Sequence, residues 1–393
     1  MFHTDSGLSR LKDKHTLIFR RQNIIAFFIS ILLFSGACSK LVLKQDRQTD
    51  GTQWPQFGKD AQHTRLVNQL SRFPLTLKWQ HKASSAIEQS MISADGVVFI
   101  GTQDGKIEGI DIETGEKIGQ VKIRGNFSAT CALYKGDLVY VRRIGQPTLT
   151  RYSLKRGKTV WKVEASSVMT EPLIAGDKVF IGRLKGELDC YSLDDGTKLW
   201  TAKLPAQTHS SPAYSRGYIF IGDDDGTIHA FDEGGNSLWR FKTKAALYAT
   251  PAIFETTLYI GSTDGNFYAI DAIDGTEKWV FIISNKIYNS AGVTDQLVIF
   301  GSTNKKVYCL DKNTGEQKWV FEAKSIISTA PAISNNAVFI GSLDQRIYAL
   351  DLSSGESLWS FETKGRIRTD PILIDNKLLV ASENDRLYCF EQE

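Results

Sequence analysis

Three kinds of residue in this chain of 393 could do chemistry: clustered carboxylates, cysteines and one run of cations. The densest carboxylate cluster is Gly222-Asp223-Asp224-Asp225-Gly226. Calcium in an EF-hand loop needs a bidentate Glu at the twelfth position, and this register lacks one. Ser262-Thr263-Asp264-Gly265 and Thr102-Gln103-Asp104-Gly105 repeat the same pattern, so the cluster reads as a hairpin turn. The five cysteines include no Cys-x-x-Cys and no adjacent pair. That excludes a zinc ribbon, a thioredoxin-type redox centre and c-type haem attachment. The histidines form no cluster with a nucleophile, so a hydrolase triad has no support. No catalytic residue, metal site or cofactor is expected. The balance of 47 basic to 44 acidic residues, net +3, excludes a polybasic nucleic-acid coat. Residues 135–162 depart from that balance, with eight cations against Asp137 alone. Solvated turns are the plain reading of such a run. The functional one is a face for an acidic protein or lipid phosphates, with Arg142, Arg143 and Arg151 as its candidates.

Cys38 carries a different chemistry. Ile24–Phe34 is an uncharged, mostly apolar run, preceded by Arg20-Arg21 and followed by Ser35-Gly36-Ala37. At 1.5 Å per residue a helix of this length cannot span roughly 30 Å of hydrocarbon. Basic, then apolar, then small is the layout of a secretory signal. Small residues directly before Cys38 resemble the bacterial lipobox, whose thiol receives diacylglycerol, although Ser35 stands where Leu is usual. The expected divisions are a signal at 1–37, a lipidated flexible tether at 38–53 and a folded body at 54–393. Ser39, after the cysteine, favours the outer membrane.

The elements behind these residues follow from a repeat. Tryptophans fall at Trp79, Trp161, Trp200, Trp239, Trp279, Trp319 and Trp359, a mean period of 40 with one double gap. Gly119 occupies the middle of that gap, in GEKIG, which aligns with GTKLW and GTEKW. The unit from Thr250 to Trp279 divides into four short apolar runs separated by Gly, Asp and Thr, which predicts four strands per repeat. No helical period is visible. Eight units can be counted, and the last lacks its fourth strand. Pro74–Trp79 (PLTLKW) is a fourth strand with nothing before it, and it is predicted to close the ring and remove two sheet edges. The fold class is therefore all-β: a single eight-bladed propeller of four-stranded blades.

Two positions of the repeat are informative. The position before each first strand is expected to face the central channel: Glu171, Ser211, Thr250, Ser290, Ala330 and Asp370, with Gln89 and Thr130 at the start. Only two of these are acidic, a poor cage for a divalent ion. Cys190, Cys309 and Cys389 take the place of Ala269 and Ala349 in non-adjacent blades, so they are read as buried small side chains.

The pattern Ala269, Asp271, Gly275, Trp279, repeated as Ala349, Asp351, Gly355, Trp359, resembles the tryptophan-docking motif of PQQ-type eight-bladed propellers. In that family the indole stacks on the glycine peptide of a neighbouring blade, which assigns the seven tryptophans a structural role. Gly119 for Trp, and Ser153 and Ser192 for Asp, depart from the motif. The resemblance also raises a quinone-dependent dehydrogenase, which typically uses adjacent cysteines, a calcium and long insertions. This chain has no adjacent cysteine pair, and its even blade spacing leaves no room for such insertions. A lipid-anchored single propeller without those residues is similar to the BamB-type outer-membrane assembly lipoproteins. That similarity implies a non-catalytic, monomeric scaffold bound to the membrane by its lipid, facing the periplasm, with an envelope protein, the barrel-assembly machine, as partner. A periplasmic quinoprotein and a surface-displayed glycan- or protein-binding propeller are the alternatives.

Overall fold

A computed structural model of the chain describes residues 40–43, 53–69, 71–123, 131–142 and 148–392. Cys38, Thr130 and Arg143 lie outside the described residues, as does the expected signal segment.

Each repeat folds because its runs alternate between strand residues and obligatory turn residues. In blade five the strands are Ala252–Phe254, Thr257–Gly261, Asn266–Asp271 and Glu277–Ile282, paired antiparallel in that order from the ring centre outward. The two middle strands are almost wholly buried, because neighbouring blades cover both of their faces. This is why they read as continuous apolar runs rather than alternating ones. The outer strand alternates exposed and half-buried positions. Eight such four-stranded sheets form the ring.

The last blade takes its outer strand from the N-terminal side, as the sequence predicts. Leu75–Lys82 pairs with Arg386–Gln392, which pairs with Lys377–Ser382 and then Ile372–Ile374. No edge is left open at the junction of the chain's two halves.

The stretch before that strand threads the first strands in order. Trp54 exchanges two backbone hydrogen bonds with Ser93 of blade one. The N–H groups of Leu133, Tyr214, Ile253, Val293 and Ile333 then donate to the carbonyls of Pro55, Ala61, Gln62, Thr64 and Arg65. In blade three the Gln56 side chain accepts from the Ile174 N–H at 2.9 Å. One segment thus ties seven blades together through the edges of their innermost strands, which would otherwise carry unpaired polar groups.

Candidate functional site

The docking tryptophans sit at the seams between blades. Trp279 packs on Gly315, where an added Cβ would fall 2.7 Å from the indole. Its Nε1–H donates to the Lys312 carbonyl at 3.0 Å. Gly315 has φ +74°, a conformation that suits glycine, and the close approach leaves no room for a side chain. Trp79, Trp161, Trp200, Trp239 and Trp319 dock in the same way on Gly115, Gly196, Gly235, Gly275 and Gly355. Each also donates its ring N–H to a carbonyl of the next blade. Trp359 has no such glycine, because blade eight receives its fourth strand from the other end of the chain. It meets Phe390 edge-on at 5.0 Å instead. Trp319 is buried, whereas the other six are half-buried, with one edge of the indole in solvent.

The seam at Gly119 is filled by main chain. The Leu41 N–H donates to Gln120 O at 3.0 Å, and the Leu43 N–H to Leu154 O at 3.1 Å. The Tyr152 hydroxyl donates to Leu41 O at 3.3 Å. Leu41 is fully buried in the core between blades one and two. A Cβ on Gly119 would stand 2.9 Å from both Leu41 Cα and Lys40 O. Val42 covers Gly157, the glycine on which an indole from blade one would have stacked. Residues 40–43 therefore depart from the expectation of a flexible tether over 38–53. Their apolar side chains and two backbone donors are used by the seam.

At the ring centre, the residues expected to face the channel are engaged in joining blades. The N–H groups of Glu171, Ser211 and Thr250 donate to the side-chain oxygens of Ser211, Thr250 and Ser290 in turn. The Ala330 N–H donates to Asp370 Oδ1 at 2.9 Å. These residues line a cavity of about 460 Å³ with Phe57 also in its wall. Beneath it lies Arg65, fully buried, its guanidinium over the Phe57 ring at 4.8 Å. Arg65 Nη1 is 2.9 Å from Asp370 Oδ2, an ion pair without the alignment of a hydrogen bond. Burial nonetheless pushes the Asp370 carboxyl above its ordinary range, with the Arg65 charge opposing. His63, also buried, shares its Nδ1 with the Pro251 carbonyl at 3.1 Å. Burial first, and then the Arg65 charge, lower it to about 3, so it is neutral and its Nδ1 carries the donated proton.

The other chemical candidates resolve into structural roles. Asp223, Asp224 and Asp225 face three different partners, His229 at 2.8 Å, His209 at 2.9 Å and Lys242 at 2.6 Å. Asp223 also accepts the Thr227 N–H at 2.8 Å, which makes the segment a hairpin turn. Cys131, Cys190, Cys309 and Cys389 are free and buried. Burial holds the thiols of the last three up to about 12, so they carry no thiolate near neutrality. Among the described residues no group of three His, Cys, Asp or Glu converges to hold a metal.

The basic run of blade two is divided by the fold. Arg151 donates to Asp137 Oδ2 at 2.8 Å and to Leu193 O of blade three at 2.9 Å. Its guanidinium is thus engaged at the seam between blades two and three, with 14% of the side chain exposed. Arg142 is half-buried. Among the described residues of the run the exposed cations are Lys135, Lys155, Arg156, Lys158 and Lys162. The run's charge signalled them, but which cations stay in solvent depends on seam contacts that a local reading does not contain.

Comparison with known proteins supplies the rest. A family profile described as outer membrane protein assembly factor BamB matches residues 103–185, 184–289 and 283–372. A curated relative of that description from Escherichia coli (strain K12) is 23% identical over 154 residues, 36% of this chain. The match spans 38% of that relative's length. The solved BamB structure from Moraxella catarrhalis superposes with a TM-score of 0.70 at 20% identity, covering 81% of this chain and all of that one. A europium-containing methanol dehydrogenase superposes with a TM-score of 0.76 at 13% identity, covering 88% of this chain and 99% of its own. At such identities these likenesses concern the fold.

Proposed function

The chain belongs to the outer membrane protein assembly factor BamB family, and from that membership we propose that it is a non-catalytic scaffold assisting β-barrel insertion into the outer membrane. In this reading Cys38 is acylated, the single ring faces the periplasm as a monomer, and its protein partner is the barrel-assembly machine. The family match over well more than half of the chain supports the scaffold role.

The observation that carries the non-catalytic part is the employment of the channel residues. The fold is shared with quinone-dependent dehydrogenases, which makes PQQ with calcium the group to be tested for fit. The donor set does not fit it. Ser211, Thr250, Ser290 and Asp370 accept backbone hydrogen bonds from the preceding blade, and Asp370 also faces Arg65. The cavity holds two acids, Glu171 and Asp370, and the buried Arg65 cation beside Asp370 opposes a second cation there. The described cysteines are single and buried.

Crosslinking the lipidated full chain in native outer membranes tests the reading. The expected product joins it to a component of the barrel-assembly machine. In parallel, PQQ and calcium should give no bound chromophore. Alcohol- or sugar-dependent dye reduction with PQQ would overturn the proposal.

A further inference from the structure

The turn between third and fourth strands has one charge character around the ring and another in blade two. In blades one and three to seven it carries at least one acid: Glu113, Asp194, Glu233, Asp274, Glu316 and Glu356. In blade two it reads Leu154-Lys155-Arg156-Gly157-Lys158, with cations only. All three cations are exposed, and none has a carboxylate within 4 Å among the described residues. Lys162 extends the patch along the outer strand.

This same turn is where residues 40–43 dock. Val42 lies on Gly157, between Arg156 and Lys158, and Leu43 bonds to Leu154. Two peptide units, about 7 Å at full extension, separate Lys40 from Cys38. A free chain from Cys38 to Gln53 would instead allow excursions of about 20 Å. Docking thus removes most of the leash: Cys38 is four peptide units, at most about 14 Å of extended chain, from Val42 on the one turn whose charge is inverted.

We propose that the outer edge of blade two is a membrane-facing surface, with Lys155, Arg156 and Lys158 against the phosphates of anionic lipid headgroups. The inference rests on acylation of Cys38. An acyl anchor and a polybasic patch are two signals that reinforce each other, and each basic residue near an anionic surface adds about five-fold to binding. The docked strap makes the two signals adjacent, so the ring is held by one edge instead of swinging on a tether.

The test uses the full chain purified from membranes, with Thr159→Cys in blade two or Gln317→Cys in blade six as a labelling point. Both positions are exposed at the same place in the repeat, four blades apart and so on opposite sides of the ring. The described native cysteines are buried, which directs the fluorophore to the new one. Mass spectrometry of the N-terminal peptide first reads acylation at Cys38. The protein is then placed in vesicles of phosphatidylethanolamine and phosphatidylglycerol containing a headgroup spin label. Quenching should be strong at position 159 and weak at 317. The triple change Lys155→Glu, Arg156→Glu and Lys158→Glu should reduce the difference several-fold, as should replacing the lipids with phosphatidylcholine. Acylation with equal quenching at both positions would overturn this surface and leave the anchor standing. An unacylated Cys38 would overturn both.

Discussion

Six of the eight seams between blades are closed by a tryptophan that the repeat itself supplies, whereas the seam between blades one and two is closed by residues 40–43. In the six, one indole gives a stacking surface and one hydrogen bond to the next blade. In the exception, Leu41 and Val42 supply the apolar surface, and two backbone donors of the same segment replace the indole N–H. The difference teaches that a gap in a repeat need not be a weak point. A segment far away in sequence fills it, and the substitution ties residues 40–43 to a particular edge of the ring. The same division applies elsewhere. Leu75–Lys82 completes blade eight, and the stretch from Trp54 onward crosses the centre.

Removing the N-terminal contribution where it is largest should break the ring. Deletion of residues 74–82 exposes both the edge of Arg386–Gln392 and the core beneath it. Such a deletion should abolish a cooperative thermal transition or lower it by more than about 10 °C, with aggregation, since several kcal/mol of burial and a full ladder are lost. A melting curve like that of the wild type would mean that the blade closes without this strand.

A repeat-built seam should respond less. Trp279 is half-buried, so Trp279→Ala should cost about 2–3 kcal/mol, below the 3–5 typical of a fully buried aromatic. Urea titration reads this directly, and a change near zero would show that the docked indole does not bear on stability.

The central segment should be visible through pH. His63 is lowered to about 3 when folded, against an ordinary value near 6.5. The unfolded chain therefore binds the extra proton first. Its contribution is intact above pH 6.5 and is lost as pH falls, by about 2 kcal/mol at pH 5. His63→Gln should lose less stability between pH 7 and 5 than the wild type by that amount. Equal slopes would place His63 in water.

The blade-one seam should show the smallest global effect. Leu41→Ala removes buried surface, but the cost is capped by the free energy of docking a four-residue strap, on the order of 1 kcal/mol. The Gly119→Trp change offers a sharper contrast. On sequence grounds an indole there would restore the repeat and stabilise it. The structure reverses that expectation, because Leu41 Cα and Lys40 O already occupy the space.

Much of the architecture was legible because it is periodic. The eight blades, the closing strand at Leu75–Lys82 and the seam tryptophans all leave a 40-residue signal. What was not legible depends on contacts between distant segments. Leu41-Val42-Leu43 is a short apolar triplet inside a polar stretch, and that interruption was the one local hint of docking. Nothing near Arg151 in sequence announces the Leu193 carbonyl of the next blade. The repeat placed Glu171, Ser211, Thr250, Ser290, Ala330 and Asp370 at the centre, where they line the cavity. Their use as acceptors for the neighbouring blade's N–H groups required the ring geometry.

Amide hydrogen exchange of the full chain, read at residues 40–43 in the wild type and in Gly119→Trp, tests the seam substitution most directly. The Leu41 and Leu43 amides are hydrogen-bonded to Gln120 and Leu154, and Leu41 is fully buried. Their exchange should be at least about five-fold slower than that of an unstructured chain, as a docking free energy of about 1 kcal/mol requires, and Gly119→Trp should return it to the unprotected rate while the blade-five amides stay slow. Fast exchange at both positions in the wild type would contradict the account, since the seam between blades one and two would then be closed by something other than this strap.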